Sequence, residues 1–260
     1  MKIALCQTPI VWERVNENIA RYNSVLIDIY KCHDPGIDII IFPEFFTYGF
    51  TMNKNVAELS EGPSTCWLRE KSKEFNVAIA ASVPIREEKK FYNRAFFVAP
   101  DGSEYSYNKR HLFSYGGEET TFTPGDSSTI FHYKGWNICL QICYDLRFPV
   151  WCRNVDLSYD LIINMANWPA SRESVVEPLA RARAIENLSY FAFVNRVGND
   201  PFNSYNKVGL VSDYKGVVQM AIKSSDEFNY QIYELNLDAL KTFRDKFKVW
   251  KDADKFKIIF

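Results

Sequence analysis

The sequence predicts a layered α/β fold with two sheets covered by helices, and three observations carry that prediction. Short runs rich in Ile, Val and Phe alternate with longer segments of helical period. Two of the later runs, Asn137 to Ile142 and Asp160 to Met165, are apolar along their length, as strands buried on both faces are. No Pro-, Gly- or Ser-rich linker, repeated block or low-complexity stretch interrupts the alternation, so the 260 residues read as one domain.

In chain order, Lys2 to Gln7 is a strand, Glu13 to Cys32 a helix and Asp38 to Phe42 a second strand, which makes a β-α-β opening. A helix follows near Ser64 to Phe75, then a strand at Val77 to Val83. Ala95 to Ala99 and Glu104 to Tyr107 form an antiparallel pair closed by the Asp101-Gly102 turn. After the two buried runs, Ser174 to Asn187 has helical period and Tyr190 to Asn195 is a strand. Val208 to Asp213 and Val217 to Ala221 are joined at Lys215-Gly216, and Tyr230 to Asn236 is the last strand. From about residue 243, Phe243 to Phe260 mixes Lys and Asp with aromatics, as a tail that packs on its own body or on a second subunit does.

A 47% hydrophobic and 16% aromatic content supports a large core and excludes a disordered or fibrous chain. The formal net charge of -1 provides no basic field to collect nucleic acid, and suits a small uncharged or mildly acidic partner. Met1 to Thr8 lacks the pattern of a signal peptide, and no stretch approaches the ~20 apolar residues of a membrane helix. The six cysteines form no C-x-x-C pair, which argues against a disulfide framework and a zinc site; reduced thiols in a cytoplasm, with no metal or cofactor, are expected.

Polar groups placed directly after buried strands are held rigidly at the rim of a sheet, and three positions meet this test. Glu44 follows Ile40-Ile41-Phe42-Pro43 between phenylalanines, and an acid in apolar surroundings can trade protons near neutrality. Its alternative is a salt-bridged strand-end acid. Lys109 lies in Tyr107-Asn108-Lys109-Arg110-His111, where it either points a fixed charge into a pocket or guards a sheet edge. His111 in the same cluster either pairs with a thiol or serves as a structural hydrogen-bonder. Cys143 ends the strand Leu140-Gln141-Ile142 a few residues before an expected helix, whose N-terminal amides favour a thiolate and can hold an oxyanion. A carboxylate, an amine and a thiol together form a complete set for amide hydrolysis: Glu44 as proton shuttle, Cys143 as nucleophile, Lys109 with the Tyr144 amide as oxyanion holder.

At these residues the chain resembles the nitrilase superfamily of carbon-nitrogen hydrolases. Phe42-Pro43-Glu44, Lys109 to Phe113 and Cys143 to Pro149 each coincide with a family segment in the right order, and the likeness extends from Met1 to about Asp254. Asn164 to Pro169, Ala182 to Asn187 and Asn195 to Gly198 also match. The resemblance implies a four-layer α-β-β-α sandwich with two mixed sheets that pairs into a homodimer. It also implies a second glutamate in the loop after the lysine; counting back from Pro124-Gly125 favours Glu118, with Glu119 its rival and a pair of exposed loop acids the plain alternative. Cys143-Tyr144-Asp145-Leu146-Arg147-Phe148-Pro149 with Ala166-Asn167-Trp168-Pro169 looks most like the omega-amidases, which act on 2-oxoglutaramate and 2-oxosuccinamate. Such substrates carry a distal carboxylate. Arg172 is then the expected clamp beside Tyr144 and Trp168, whereas Arg147, next to Asp145, is read as locking its own turn. The chain departs from that branch at Val176, where a tryptophan is expected. Another branch of the superfamily (nitrile, carbamoyl-amine or general amide), a thiol hydrolase using His111, or a binding protein on the same fold are the competing readings.

Overall fold

The computed structural model describes residues 1–32 and 36–259, so Phe260, the end of the expected tail, lies outside the described residues. In chain order the first strands are β1 (Lys2–Cys6), β2 (Ile39–Ile41), β3 (Ala78–Glu87), β4 (Lys90–Val98) and β5 (Glu104–Asn108), with α1 (Val15–Cys32) and α2 (Pro63–Glu74) between them. Next come β6 (Ile130–Tyr133), β7 (Trp136–Ile142), β8 (Leu161–Ala166), α3 (Val176–Asn187) and β9 (Tyr190–Asn195). The chain closes with the short pair β10 (Gly198–Asn199) and β11 (Ser204–Tyr205), then β12 (Leu210–Ser212), β13 (Lys223–Ser225), β14 (Tyr230–Glu234) and α4 (Leu237–Lys246).

Seven strands form one mixed sheet in the order β13-β14-β1-β2-β3-β4-β5, and five form another in the order β12-β9-β8-β7-β6. Each has a parallel centre, β1-β2-β3 and β7-β8-β9, flanked by antiparallel strands. Strand alternation explains the layers. Ile3 and Leu5 of β1 turn inward to pack between the sheets with Ile138, Leu140, Ile163 and Ala192. Ala4 and Cys6 turn outward, where Tyr22, Val25 and Leu26 of α1 and Trp67 and Leu68 of α2 cover them. Ala180 and Ala184 of α3 bury against the outer face of the second sheet, completing α-β-β-α.

Several elements differ from the sequence expectation. The antiparallel strand expected from Ala95 begins at Lys90, because it pairs along its whole length with β3 from Ile79↔Val98 to Glu87↔Lys90. The strand β6 and the helix α4 were not expected. Val217 to Ala221 makes one bridge, Ser212↔Val218, and leaves Val217 and Met220 exposed; with no layer to cover it, the edge strand forms instead at Lys223–Ser225. The expected tail begins inside α4: Phe243 packs on Tyr214, and Arg244 donates to Asp160 Oδ1 at 2.6 Å and to the Tyr159 and Leu188 carbonyls at 2.8 Å. Residues 251 to 257 are exposed. No described helix is long and apolar enough to cross a membrane.

Candidate active site

The site lies where strand ends of the two sheets meet. Glu44 follows β2 and Lys109 follows β5 in the first sheet; Cys143 follows β7 and Asn167 follows β8 in the second. Both turning points carry strained backbone in the left-handed region, Cys143 at φ 44° and Phe45, beside Glu44, at φ 44°. The chain thus reverses at Cys143 itself: a 3-10 turn, Cys143–Arg147, starts on the cysteine rather than a few residues later. Asp145 secures this turn by accepting from Ile142 N at 3.0 Å and from Tyr107 Oη at 2.8 Å.

Lys109 donates 2.8 Å hydrogen bonds to Glu44 Oε1 and Glu118 Oε2, and all three side chains are buried. Two of the three ammonium protons are committed this way, leaving one for the pocket that Lys109 borders. Asn93, on β4, donates to Glu44 Oε1 at 2.7 Å and to Glu118 Oε1 at 3.0 Å. The backbone N–H of Asn167 reaches Glu44 Oε2 at 2.9 Å, and its side-chain amide holds the Glu44 carbonyl at 2.6 Å. Glu44 is therefore ringed by donors, contrary to the apolar setting expected from its neighbours; Phe42 and Phe46 point away to stack around Tyr22. The loop carrying Glu118 folds back through two 3-10 turns hinged at Gly117 (φ 75°), and Phe113 N closes it on Glu118 Oε2 at 2.6 Å. Glu119 is exposed.

Burial would push the Lys109 ammonium down, but the charges of Glu118 and Glu44 outweigh it and hold the amine protonated. Burial raises the Glu118 carboxyl, opposed by Lys109. Burial and then the Glu44 charge hold the Cys143 thiol well above its ordinary value, with Lys109 and the Asn167 N–H opposing. The direction is opposite to that expected from helix amides beside the sulfur, which would favour the thiolate. The five cysteines whose side chains are described are free thiols. Among the described residues no cluster of His, Cys, Asp and Glu could hold a metal ion.

A cavity of about 640 Å³ opens over this cluster, with Lys109, Cys143 and Asn167 bordering it and Tyr144, Trp168, Arg147 and Arg172 on its wall. Arg172 lies over the rings of Phe113 and Tyr115, at 5.1 and 5.7 Å, and Arg147 over Trp168 at 5.1 Å. Neither guanidinium has an ion-pair partner among the described residues. The expectation that Arg147 locks its own turn is thus overturned: Asp145 is occupied by Tyr107, Ile142 and His111, and Arg147 faces the cavity beside Arg172. His111 stacks on Phe148 at 3.7 Å with Nδ1 2.8 Å from Asp145 Oδ1, a structural fastening, and it is not among the residues that line the cavity. Sequence reasoning missed Asn93, although an asparagine amid Phe91, Tyr92 and Phe96 is a poor strand former that begs a reason. It also missed Trp12, Phe50 and Phe202, wall residues from loops with no local signal.

A buried thiol, an ammonium and a carboxylate pair gathered where the strand ends of an α-β-β-α sandwich meet are a set with the chemistry a cysteine hydrolase requires. The chain belongs to the carbon-nitrogen hydrolase family, whose profile matches residues 2–245. It is 37% identical to the omega-amidase YafV of Escherichia coli K12, over 99% of this chain and 98% of that one. It is 30% identical to a 2-oxoglutaramate amidase of Bacillus subtilis, over 97% of each. Its fold superposes with a TM-score of 0.91 on a CN-hydrolase superfamily protein of Xanthomonas campestris, 35% identical over 99% of this chain and 98% of that one, whose crystal structure holds an arsenic adduct in the active site.

Proposed function

We propose that this carbon-nitrogen hydrolase cleaves the terminal amide of a small 2-oxo dicarboxylic mono-amide, 2-oxoglutaramate or 2-oxosuccinamate, to the acid and ammonia. The observation that carries the substrate class is the pair of guanidinium groups, Arg147 and Arg172, on the cavity wall with no ion-pair partner among the described residues, while the lining carboxylate of Glu13 is engaged by Thr51 and Asn53. A distal substrate carboxylate pairs with them while the amide reaches the cluster below. The likeness to omega-amidases over almost the full chain supports the same reading.

In the mechanism Cys143 Sγ attacks the amide carbon as its proton passes to Glu44, and the carbonyl π electrons move to oxygen. The free N–H of Lys109 and the N–H of Tyr144, which lacks an intrahelical partner in the first turn after Cys143, hold that oxyanion. Glu44 then protonates the nitrogen, the C–N bond breaks and ammonia leaves. Water, deprotonated by Glu44, attacks the thioester; the acid is released and Cys143 regains its proton. Glu118 fixes the Lys109 ammonium through the 2.8 Å bond. The reading carries three companions: one hydrolase domain over the whole chain, a reducing cytoplasm that keeps Cys143 a thiol, and a homodimer. For the last, exposed Phe247, Val249, Phe256 and Ile259 are apolar surface that a partner would cover, which light scattering in solution tests. Ammonia release from 2-oxoglutaramate, set beside glutamine, asparagine, a simple nitrile and an N-carbamoyl amine, tests the substrate. Good turnover of the nitrile or carbamoyl compound with none of 2-oxoglutaramate would reject it.

A further inference from the structure

We propose that Asn93 is a positioning residue of the amide-hydrolysing site: by giving one N–H to each of Glu44 and Glu118 it keeps both carboxylates aimed at Lys109 and governs how readily the cluster takes up a proton. The proposal rests on Glu44 as the proton carrier. Its starting point is charge: two buried carboxylates share one ammonium, so the ionised cluster bears an uncompensated negative charge where water is excluded. Only neutral donors can relieve it. Asn93 supplies two from one planar amide nitrogen, at 2.7 Å to Glu44 and 3.0 Å to Glu118, and so also fixes the separation of the two acids.

The amide cannot turn over without loss. Phe45 N–H donates to Ser82 Oγ at 2.8 Å, and the Ser82 hydroxyl, 3.0 Å from Asn93 Oδ1, donates onward to it. A flipped amide would set its carbonyl oxygen against two carboxylate oxygens. The backbone carbonyl of Asn93 also accepts from Lys109 N at 2.9 Å, so one residue of β4 orients all three charged members of the cluster. The titratable groups facing the cluster are Glu44, Lys109, Glu118 and Cys143, with Tyr205 on the cavity side.

With both donors gone, each carboxylate favours its proton more, and a protonated Glu44 cannot accept one from Cys143. The test is the pH dependence of kcat/KM for whichever amide of the panel above the wild type turns over, measured for Asn93→Ala, Asn93→Ser and Ser82→Ala. The acid limb should move up by about one pH unit or more in Asn93→Ala, a tenfold change in the proton equilibrium. It should move less in Asn93→Ser, whose hydroxyl can serve one carboxylate, and stay in place in Ser82→Ala, which keeps both donors while melting at a lower temperature. An acid limb that stays at the wild-type position in both Asn93 variants, with any loss of activity equal at every pH, overturns the proposal. Activity retained by Glu44→Gln would instead remove the reading on which it rests, a separate result from the same assay.

Discussion

Replacing Glu118 by glutamine keeps the shape of the side chain and removes one buried charge. Three donors converge on this carboxylate: Lys109 Nζ at 2.8 Å and Phe113 N at 2.6 Å on Oε2, and Asn93 Nδ2 at 3.0 Å on Oε1. A glutamine has one acceptor and one donor end, so one of these contacts becomes donor against donor whichever way the amide turns. In the better orientation its carbonyl keeps Lys109 and Phe113 and loses Asn93. One hydrogen bond to a charged group is worth about 1.5–3 kcal/mol, so kcat should fall between about tenfold and about 150-fold, at 1.4 kcal/mol per factor of ten. The loss should sit in kcat rather than KM, because in the proposed mechanism Glu118 orients the oxyanion holder, and it does not border the cavity. A second readout runs the opposite way. The Glu118 charge helps to hold the Cys143 thiol up, so its removal should speed alkylation of Cys143 by iodoacetamide at fixed pH while turnover slows. Unchanged kcat, or slower alkylation, would refute the argument.

Cys143→Ala should abolish both turnover and the acyl adduct that rapid-quench mass spectrometry finds on the Cys143 peptide of the wild type; residual turnover above background would exclude the thioester route. Lys109→Met should cost a hundredfold or more in kcat, about 2.7 kcal/mol or more of oxyanion stabilisation, and should reshape the pH dependence of stability. Without the cation, the already raised Glu118 carboxyl rises further; a raised acid makes the native state bind more protons than the unfolded one, so stability falls as pH rises through that window. The variant's Tm should therefore drop from about pH 5 to about pH 7 more than the wild type's, and parallel curves would contradict this. Arg147→Met and Arg172→Met should each raise KM for 2-oxoglutaramate by up to about fivefold, as suits a half-exposed pair worth about 1 kcal/mol, while sparing a neutral amide of similar length; equal effects on both substrates would make the arginines structural. Arg244→Met removes three buried hydrogen bonds on α4 and should cost roughly 3–5 kcal/mol, seen as a Tm lower by roughly 10 °C with kcat unchanged.

The sequence by itself determined the strands that end in reactive groups. A buried strand announces itself through an apolar run, and Cys143 stands immediately after one and Glu44 just beyond another, which is a local signal; Lys109 follows the mostly polar strand Glu104–Asn108 and was legible only as a charge at a strand exit. It determined the layered architecture for the same reason, since runs such as Asp160 to Met165 need cover on both faces. Tertiary structure alone decided which strand ends meet. Glu44 and Asn167 are 123 residues apart and touch because β2 is central in one sheet and β8 in the other. Asn93 reaches two carboxylates only through the register that pairs it with Pro84 on β3, and register is a property of two strands, not of one. The direction of Arg147 follows from the left-handed turn at Cys143, which swings the next residues toward the cavity and could not be read from an Arg beside an Asp. The state of the thiol was likewise decided in three dimensions, because burial and the charge of Glu44 outweigh the short 3-10 turn whose amides the sequence places beside the sulfur.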